Sequence, residues 1–314
     1  MVSGLTKMQT LRIWQQAPHN AFTDLIYFHY TLWCVFREGS AHVSPDGQFR
    51  ILRSLDGIHW LSSAVISMAG ADLRDAKFSL LPDGRLMLYG AGALHDKSQQ
   101  SHQSFAWFSD NGLEWSAPVA IGEPNFWLWR LAWFGQQALA VSYHCGQPRL
   151  VRAYQTRDAR HFVPLGQAIY QGSYANESAI CFEPDGTALC LLRRDPENGL
   201  LGVARPPYHD WQWTDIGCRI GGPAMLRLAD GQLLVCVRLY DQQVRTSLCK
   251  LDRLTGKLTE LQVLPSGGDC SYAGMVLREN CLYISYYSSH EQRSAIYVTR
   301  LELRAPGSAN FLPQ

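Results

Sequence analysis

The sequence predicts an all-β fold, a six-bladed β-propeller with four antiparallel strands in each blade. The first observation behind this prediction is that short apolar strands alternate with turn residues, while helical periodicity is almost absent. The second is a hairpin signal that recurs about every 50 residues, as expected for propeller blades. The six hairpins are marked by Tyr30, Asp83, Gln136, Asp185, Asp230 and Asn280.

Three of these hairpins contain an Asp-Gly pair, at Pro82–Gly84, Pro184–Gly186 and Ala229–Gly231. Asp-Gly favours tight turns because glycine adopts a positive φ without steric cost. Each of these turns joins one apolar strand to the next. They therefore mark the same hairpin in three different blades.

A ring of blades has to close, and the chain ends supply candidate strands for this. Leu11–Trp14 can pair with the last apolar strand, Ala295–Leu301. Such a pairing would remove an exposed sheet edge, which otherwise invites aggregation. We therefore expect residues 1–314 to form one propeller domain whose N-terminal strand completes the last blade.

Composition and charge argue against several classes of partner. The chain has 28 basic and 27 acidic residues, and neither kind forms a block. Binding to nucleic acid or to an anionic membrane is therefore not expected. No run of 18 apolar residues is present, so no membrane span is predicted. The sequence gives no indication of the oligomeric state.

The cysteines and the N-terminal residues bear on localisation. The number of cysteines is nine, with no C-x-x-C pair, and several lie within apolar strands where they act as small buried hydrophobic residues. The first residues lack the apolar core of a secretory signal. A cytoplasmic location is expected if the chain is full length, and a periplasmic or secreted one if it was trimmed.

A second motif predicts turns between the third and fourth strands of a blade. Ser54–Trp60 and Ser109–Trp115 have the form of the Asp-box, also called the BNR repeat, and Thr156–Phe162 is a degenerate third copy. In such a turn a carboxylate accepts hydrogen bonds from backbone amides, and glycine takes a positive φ. We assign Asp56 and Asp110 this structural role and no part in catalysis.

Polar residues cluster where each innermost strand is predicted to begin. Because these strands surround the axis of a propeller, their first residues should meet at one central pocket. Charged groups that converge there perturb one another's pKa values, as is typical of active sites. The six segments are Asn20–Asp24, Arg74–Asp75, Trp129–Arg130, Asn176–Glu177, Gly221–Gly222 and Ser271–Tyr272.

The second half of the chain resembles the catalytic half of the exo-sialidases. Glu177 precedes a strand, an Asp-Gly hairpin and Arg193, which follows Glu177 by 16 residues. Arg245 opens a later strand, and Gly268–Met275 resembles the segment with the family's nucleophilic tyrosine. The resemblance implies Tyr272 as nucleophile and Glu177 as its base, with Arg193 and Arg245 binding a substrate carboxylate.

This chemistry is consistent with elementary reactivity. A phenol is a weak nucleophile unless a neighbouring carboxylate accepts its proton. Tyrosine is preferred to a carboxylate when the attacked carbon already carries an anionic group, and sialidases are an exception to the two-carboxylate rule. The planar guanidinium group binds a carboxylate through two parallel hydrogen bonds.

The first half departs from the family pattern. The family's first arginine is missing from Asn20–Asp24, and Arg37 is a candidate substitute, although it ends the second strand and does not begin the first. Where the family has its acid Asp after the second strand, the proton carriers here are Glu38 and His42.

Four blade-start residues complete the predicted site. Asp75 is a candidate catalytic residue, Arg74 and Arg130 are candidate substrate ligands, and Trp129 is a candidate stacking platform for a sugar.

The predicted function is therefore a glycoside hydrolase that binds a carbohydrate in the central pocket and cleaves a terminal sugar. Whether that sugar is sialic acid, another acidic sugar or a neutral one stays open. The alternatives are a lectin-like propeller that binds glycans without cleaving them, and a polysaccharide lyase acting on a uronate. The ten histidines show no metal-binding spacing and no glycine-rich nucleotide loop occurs, so no metal and no other cofactor is expected.

Overall fold

The computed structural model describes residues 5–303, and these residues form six sheets of β-strands. No helix occurs within this range, which includes no segment that could cross a bilayer as an apolar helix. The prediction of an all-β propeller with six blades is confirmed. The expected single domain extends to residues 1–4 and 304–314, which lie outside the described residues.

Each blade is an antiparallel sheet whose first strand lies innermost. Blades one and two comprise β2 (His19–Phe28), β3 (Thr31–Gly39), β4 (Gln48–Ser54) and β5 (Leu61–Ile66), then β6 (Ala71–Leu80), β7 (Leu86–Leu94), β8 (His102–Ser109) and β9 (Val119–Ile121). Blade three comprises β10 (Phe126–Phe134), β11 (Gln137–His144), β12 (Leu150–Thr156), β13 (Val163–Pro164) and a fifth short strand, β14 (Tyr170–Gln171), which also pairs with β12.

The second half of the ring repeats this arrangement. Blades four and five comprise β15 (Tyr174–Phe182), β16 (Ala188–Asp195), β17 (Leu200–Ala204) and β18 (Gln212–Asp215), then β19 (Ile220–Arg227), β20 (Leu233–Leu239), β21 (Arg245–Leu251) and β22 (Leu258–Val263). Blade six comprises β23 (Cys270–Arg278), β24 (Cys281–Ser288), β25 (Ala295–Leu303) and β1 (Leu5–Trp14).

Both ends of the described chain meet in blade six. Strand β1 runs antiparallel to β25, with Leu11 opposite Val298 and Trp14 opposite Ile296. A hydrogen bond of 2.7 Å between the Thr10 and Thr299 hydroxyl groups supports the pairing. The outer edge of β25 is thereby paired instead of exposed.

The Asp-Gly hairpins show how short local signals set the strand register. In the turn at Pro82–Gly84, the Gly84 amide donates to the Leu81 carbonyl at 2.9 Å and Gly84 has a φ of +88°. The other two Asp-Gly hairpins repeat this bond, with distances of 3.0 Å. A type I turn followed by a left-handed residue is the usual three-residue hairpin, and glycine adopts that conformation without strain.

The turns after the third strands share one set of hydrogen bonds. The Asp56 carboxylate accepts from the amides of Ile58 and His59, both at 2.8 Å. In the second turn the acceptor is Asn111, whose side-chain oxygen lies 2.8 Å from the Leu113 amide. The prediction that assigned this role to Asp110 is therefore wrong by one position. In both turns the acceptor is the residue two positions after the serine that begins the turn, and in the second turn this residue is Asn111. Asp110 is exposed.

Six β-bulges determine which side chains reach the axis. Every innermost strand has its register break at the same level. A bulge places two residues opposite one and redirects a side chain, and bulges are common next to active sites. The predicted blade-start residues thus lie within the inner strands, not before them. The breaks fall between Ala21 and Asp24, Arg74 and Lys77, Leu128 and Arg130, Ala175 and Ser178, Gly221 and Ala224, and Ser271 and Gly274.

Candidate active site

The bulges of blades four and six bring Tyr272 and Glu177 together. The Tyr272 hydroxyl group donates a hydrogen bond to Glu177 Oε1 at 2.5 Å, although 95 residues separate the two in sequence. Tyr272 and its neighbour Ser271 have φ values of +53° and +88°. Such backbone is costly for residues other than glycine and is found mainly where a structure needs it, often at functional sites. Here it aims the phenol at the carboxylate of another blade.

Two further donors hold the Glu177 carboxylate. Arg193 Nη1 donates to Oε1 at 2.8 Å, and the Gly222 amide donates to Oε2 at 2.8 Å. The same Nη1 lies 3.1 Å from the Tyr272 hydroxyl oxygen. Burial and the Glu177 charge raise the pKa of Tyr272 well above its ordinary value, so the phenol is protonated at neutral pH.

Aromatic rings surround the Tyr272 phenol. The ring of Phe22 lies edge-on at 5.0 Å between centroids, and the rings of Tyr287 and Trp129 lie at 5.8 Å and 6.0 Å. Trp129 is 3% exposed, so its indole packs against Tyr272 instead of presenting an open face to a sugar. The prediction that Trp129 is a stacking platform is corrected accordingly.

Asp75 is a second carboxyl group close to this pair. Its Oδ1 is buried and has no hydrogen-bond partner. Burial raises the pKa of Asp75 to about 6, although the charges of Lys77 and Arg74 counteract the shift and that of Glu177 adds to it. Burial and the Arg130 charge in turn lower the pKa of Lys77 to about 8. A buried carboxyl group with such a pKa can hold a proton close to neutral pH.

Arg238 is a member of the cluster that sequence reasoning missed. Its guanidinium carbon lies 5.4 Å from the centre of the Tyr272 ring, and Nη2 donates to the Tyr287 hydroxyl group at 3.1 Å. Nη2 also lies 3.1 Å from Asp269 Oδ1. Arg238 stands on the second strand of blade five, as Arg193 does on that of blade four.

Arg245 does not reach the pocket, contrary to the prediction. It begins β21, the third strand of its blade, and its Nε donates to Glu260 Oε1 at 2.8 Å. Its Nη1 also lies 3.0 Å from Asp241 Oδ1. Both partners belong to the outer part of the same blade, so Arg245 stabilises that blade and Arg238 takes its predicted place beside Tyr272.

Arg37 and Glu38 also lie outside the cluster. Arg37 is fully buried, with Nε 2.8 Å from Asp72 Oδ1 and Nη2 2.9 Å from the Ser44 hydroxyl group. It therefore fixes the loop after β3 and is not available to a substrate. The Glu38 carboxylate accepts from the Trp14 indole at 2.6 Å and from Arg50 at 2.9 Å. These partners hold it away from Tyr272, so the structure does not support Glu38 as the acid.

His42 and Arg74 lie beside Phe22, at the edge of the aromatic cluster around Tyr272. The His42 ring lies 5.3 Å from the Phe22 ring and is half exposed. The Arg74 guanidinium carbon lies 5.2 Å from the same ring, and Nη1 donates to the His42 carbonyl at 2.9 Å. His42 Nδ1 lies 2.9 Å from Asp269 Oδ2.

Arg130 projects further along the axis than the Tyr272 cluster. Its Nη1 lies 3.0 Å from Asp24 Oδ1, and Nη2 donates to the Ala273 carbonyl at 3.2 Å. Arg130 and Asp24 line an axial cavity of about 320 Å³. The rest of its wall is formed by residues that follow the bulge in each of the six inner strands. The predicted role of Arg130 as a ligand in the Tyr272 pocket is therefore not supported by its position.

Comparison with solved structures finds close matches to this architecture. A protein described as of unknown function from Dyadobacter fermentans DSM 18053 superposes with a TM-score of 0.85, at 17% identity over 96% of this chain and 100% of its own. Trypanosoma rangeli sialidase superposes with a TM-score of 0.71, at 11% identity over 90% of this chain. The fold is that of a sialidase-like propeller. This chain spans 55% of the sialidase chain.

A third match has a different activity. The α-L-arabinanase of Penicillium chrysogenum, solved with arabinobiose, superposes with a TM-score of 0.67, at 14% identity over 93% of this chain and 98% of its own. No family model matches the sequence, and no curated protein does. At these identities the likeness establishes the fold, and function has to be argued from the site.

Proposed function

We propose that the protein is a glycoside hydrolase that cleaves a terminal sugar in the pocket around Tyr272. The observation that carries the proposal is the hydrogen bond of 2.5 Å from the Tyr272 hydroxyl group to Glu177 Oε1. A nucleophile within hydrogen-bond reach of a base, with a third group that orients the base, is the arrangement of covalent catalysis. Arg193 is that third group, because it donates to the same carboxylate oxygen.

In the first step the Tyr272 oxygen forms a bond to the anomeric carbon while the glycosidic bond to the leaving oxygen breaks. The phenolic proton passes to Glu177, and the leaving oxygen receives a proton from an acid. Asp75 is the best candidate for that acid, because it is buried beside the pair and its pKa of about 6 leaves it partly protonated. In the second step water adds to the anomeric carbon and gives a proton to the Asp75 carboxylate, the Tyr272 bond breaks, and Glu177 returns its proton to the phenolate.

The substrate class that fits best is an acidic sugar. Three guanidinium groups lie close to the reacting phenol. That of Arg74 lies over the Phe22 ring, that of Arg238 lies over the Tyr272 ring, and that of Arg193 contacts the Tyr272 hydroxyl group. Guanidinium groups bind carboxylates strongly, and a phenol attacks a carbon beside an anion with less repulsion than a carboxylate would. Two matched structures hold sugars: T. rangeli sialidase was solved with sialic acid and the arabinanase with arabinobiose.

The test is a screen of aryl glycosides of sialic acid, uronic acids and neutral sugars, with the wild-type protein and Tyr272→Phe. We expect turnover of an acidic glycoside and a loss of about 100-fold or more in Tyr272→Phe. Both proteins should have similar melting temperatures, because Glu177 keeps its bonds to Arg193 and Gly222. Equal turnover by the two folded proteins would refute Tyr272 as the nucleophile.

Two alternatives give different outcomes in the same screen. A lectin-like protein would bind glycans without turnover. One observation favours this alternative: Glu38, a predicted acid on blade one, is hydrogen-bonded to Trp14 and Arg50 and does not reach Tyr272. A lyase would release an unsaturated product that absorbs ultraviolet light. Either result would replace the proposed hydrolase.

A further inference from the structure

Three potential metal ligands meet at the rim of the pocket. His19 from β2, His42 from the loop after β3, and Asp269 just before β23 place their ligand atoms within 4.8 Å of one another. His42 Nδ1 lies 2.9 Å from Asp269 Oδ2, and His19 Nε2 lies 3.7 Å from the same oxygen. Two imidazoles thus face a single carboxylate oxygen. Among the residues that the structure describes, no other group of three such side chains is this close.

These separations suit a small divalent ion. Zinc binds histidine nitrogen and carboxylate oxygen at about 2.0–2.2 Å in tetrahedral geometry, so neighbouring ligand atoms should be about 3.3 Å apart. The observed 2.9 Å and 3.7 Å lie on either side of that value. Three protein ligands also leave one position open, as in zinc sites that bind a further molecule.

The surroundings of Asp269 resemble a second coordination shell. Its other oxygen, Oδ1, accepts from the Tyr287 hydroxyl group at 2.6 Å and from Arg238 at 3.1 Å, which leaves Oδ2 for the two histidines. Hydrogen bonds of this kind orient carboxylate ligands in metal sites. The His42 backbone is held in turn by Arg74, which donates to its carbonyl group at 2.9 Å.

His19 supplies an independent sign of a missing partner. Its side chain is 12% exposed, and Nδ1 is buried without a hydrogen-bond partner. Its other nitrogen lies beyond ordinary hydrogen-bond distance from Asp269. Nε2 is the nitrogen that faces Asp269 and His42, and a metal ion bound there would give it the bond that the contact of 3.7 Å does not supply.

We propose that His19, His42 and Asp269 bind a divalent transition-metal ion, with zinc the best fit. The site borders the pocket, because the His42 ring contacts Phe22 and the Phe22 ring contacts Tyr272. The open coordination position can therefore take an oxygen atom of a bound sugar, such as a hydroxyl or carboxylate oxygen. The proposal does not depend on the hydrolase mechanism, and it reverses the expectation of no metal, which rested on spacing along the sequence.

The test is titration of the purified full-length protein with Zn²⁺ by calorimetry, and with Co²⁺ by visible absorption. We expect one ion per chain, a higher melting temperature with Zn²⁺, and cobalt bands without thiolate-to-metal charge transfer. His42→Ala should weaken binding by about 100-fold or more, since it removes a direct ligand. His42 is half exposed, so this variant should fold.

The matched control is His161→Ala. His161 Nδ1 lies 2.6 Å from Asp158 Oδ2, but this exposed pair has no third ligand within reach, so the variant should bind Zn²⁺ as the wild-type protein does. Three results would overturn the proposal. These are no binding at one ion per chain, equal binding by His42→Ala and the wild type, or a thiolate band showing that cysteine holds the metal.

Discussion

Glu177→Gln is the change that bears most directly on the proposed site. Three donors converge on the Glu177 carboxylate: the Tyr272 hydroxyl group at 2.5 Å, Arg193 Nη1 at 2.8 Å and the Gly222 amide at 2.8 Å. Glutamine has nearly the same shape but only one acceptor oxygen, and its amide group is a donor. At least one of the three donors must therefore face another donor.

The magnitude follows from this mismatch. A buried donor left without an acceptor costs about 1–3 kcal/mol, and more where a charged group is concerned. Arg193 keeps a second carboxylate, because its Nε lies 2.8 Å from Asp195 Oδ2, so the loss should stay within that range. The melting temperature should fall by several degrees. Without a base for the phenolic proton, turnover should fall by roughly 100- to 10,000-fold.

A titration of tyrosine absorbance supplies a second measurement. Burial and the Glu177 charge raise the pKa of Tyr272, so Glu177→Gln should lower that pKa towards its ordinary value. The matched control is Glu197→Gln, because Glu197 is half exposed and forms a surface ion pair with Arg194 at 2.8 Å. Surface pairs contribute little, so the control should keep the wild-type melting temperature and turnover. A Glu177→Gln protein that matches the control in all three measurements would refute the arrangement described here.

Two further predictions concern the turns and the buried acid. Asn111→Ala should lower the free energy of unfolding by about 1 kcal/mol, because two backbone amides lose their acceptor. Asp110→Ala should leave the free energy of unfolding unchanged, and chemical denaturation of both variants checks this. Because the pKa of Asp75 is raised from 3.8 to about 6, the folded state holds a proton between those pH values that the unfolded state has lost. The Asp75 contribution to stability should therefore fall as pH rises from about 4 to 6. Subtracting the stability of Asp75→Asn from that of the wild type at each pH should reveal this slope, and a flat difference would contradict the shift.

The fold could be predicted from the sequence because its signals are local. Asp-Gly hairpins such as Pro82–Gly84 specify their own turn in three of the blades, and a hairpin of some kind joins the first two strands of every blade, so counting hairpins counts blades. The same repeat predicted that Tyr272 and Glu177 lie near the axis, and the resemblance to exo-sialidases implied that the two side chains act as a pair. What local patterns could not supply was the contact between blades: His19, His42 and Asp269 share no spacing, because a closed ring brings blade one against blade six.

Arg193 and Arg238 both lie near the end of the second strand of their blades, at the level of the inner-strand bulge. Arg193 lies opposite the bulge of blade four, and Arg238 pairs with Gly221, directly before the bulge of blade five. Because the bulges lie next to the axis, an arginine at this level of the second strand can reach Tyr272, and the Arg238 guanidinium group does so. Arg245 lies one strand further out. Position within the blade therefore favours an arginine of the second strand, whereas resemblance in sequence alone selected one of the third.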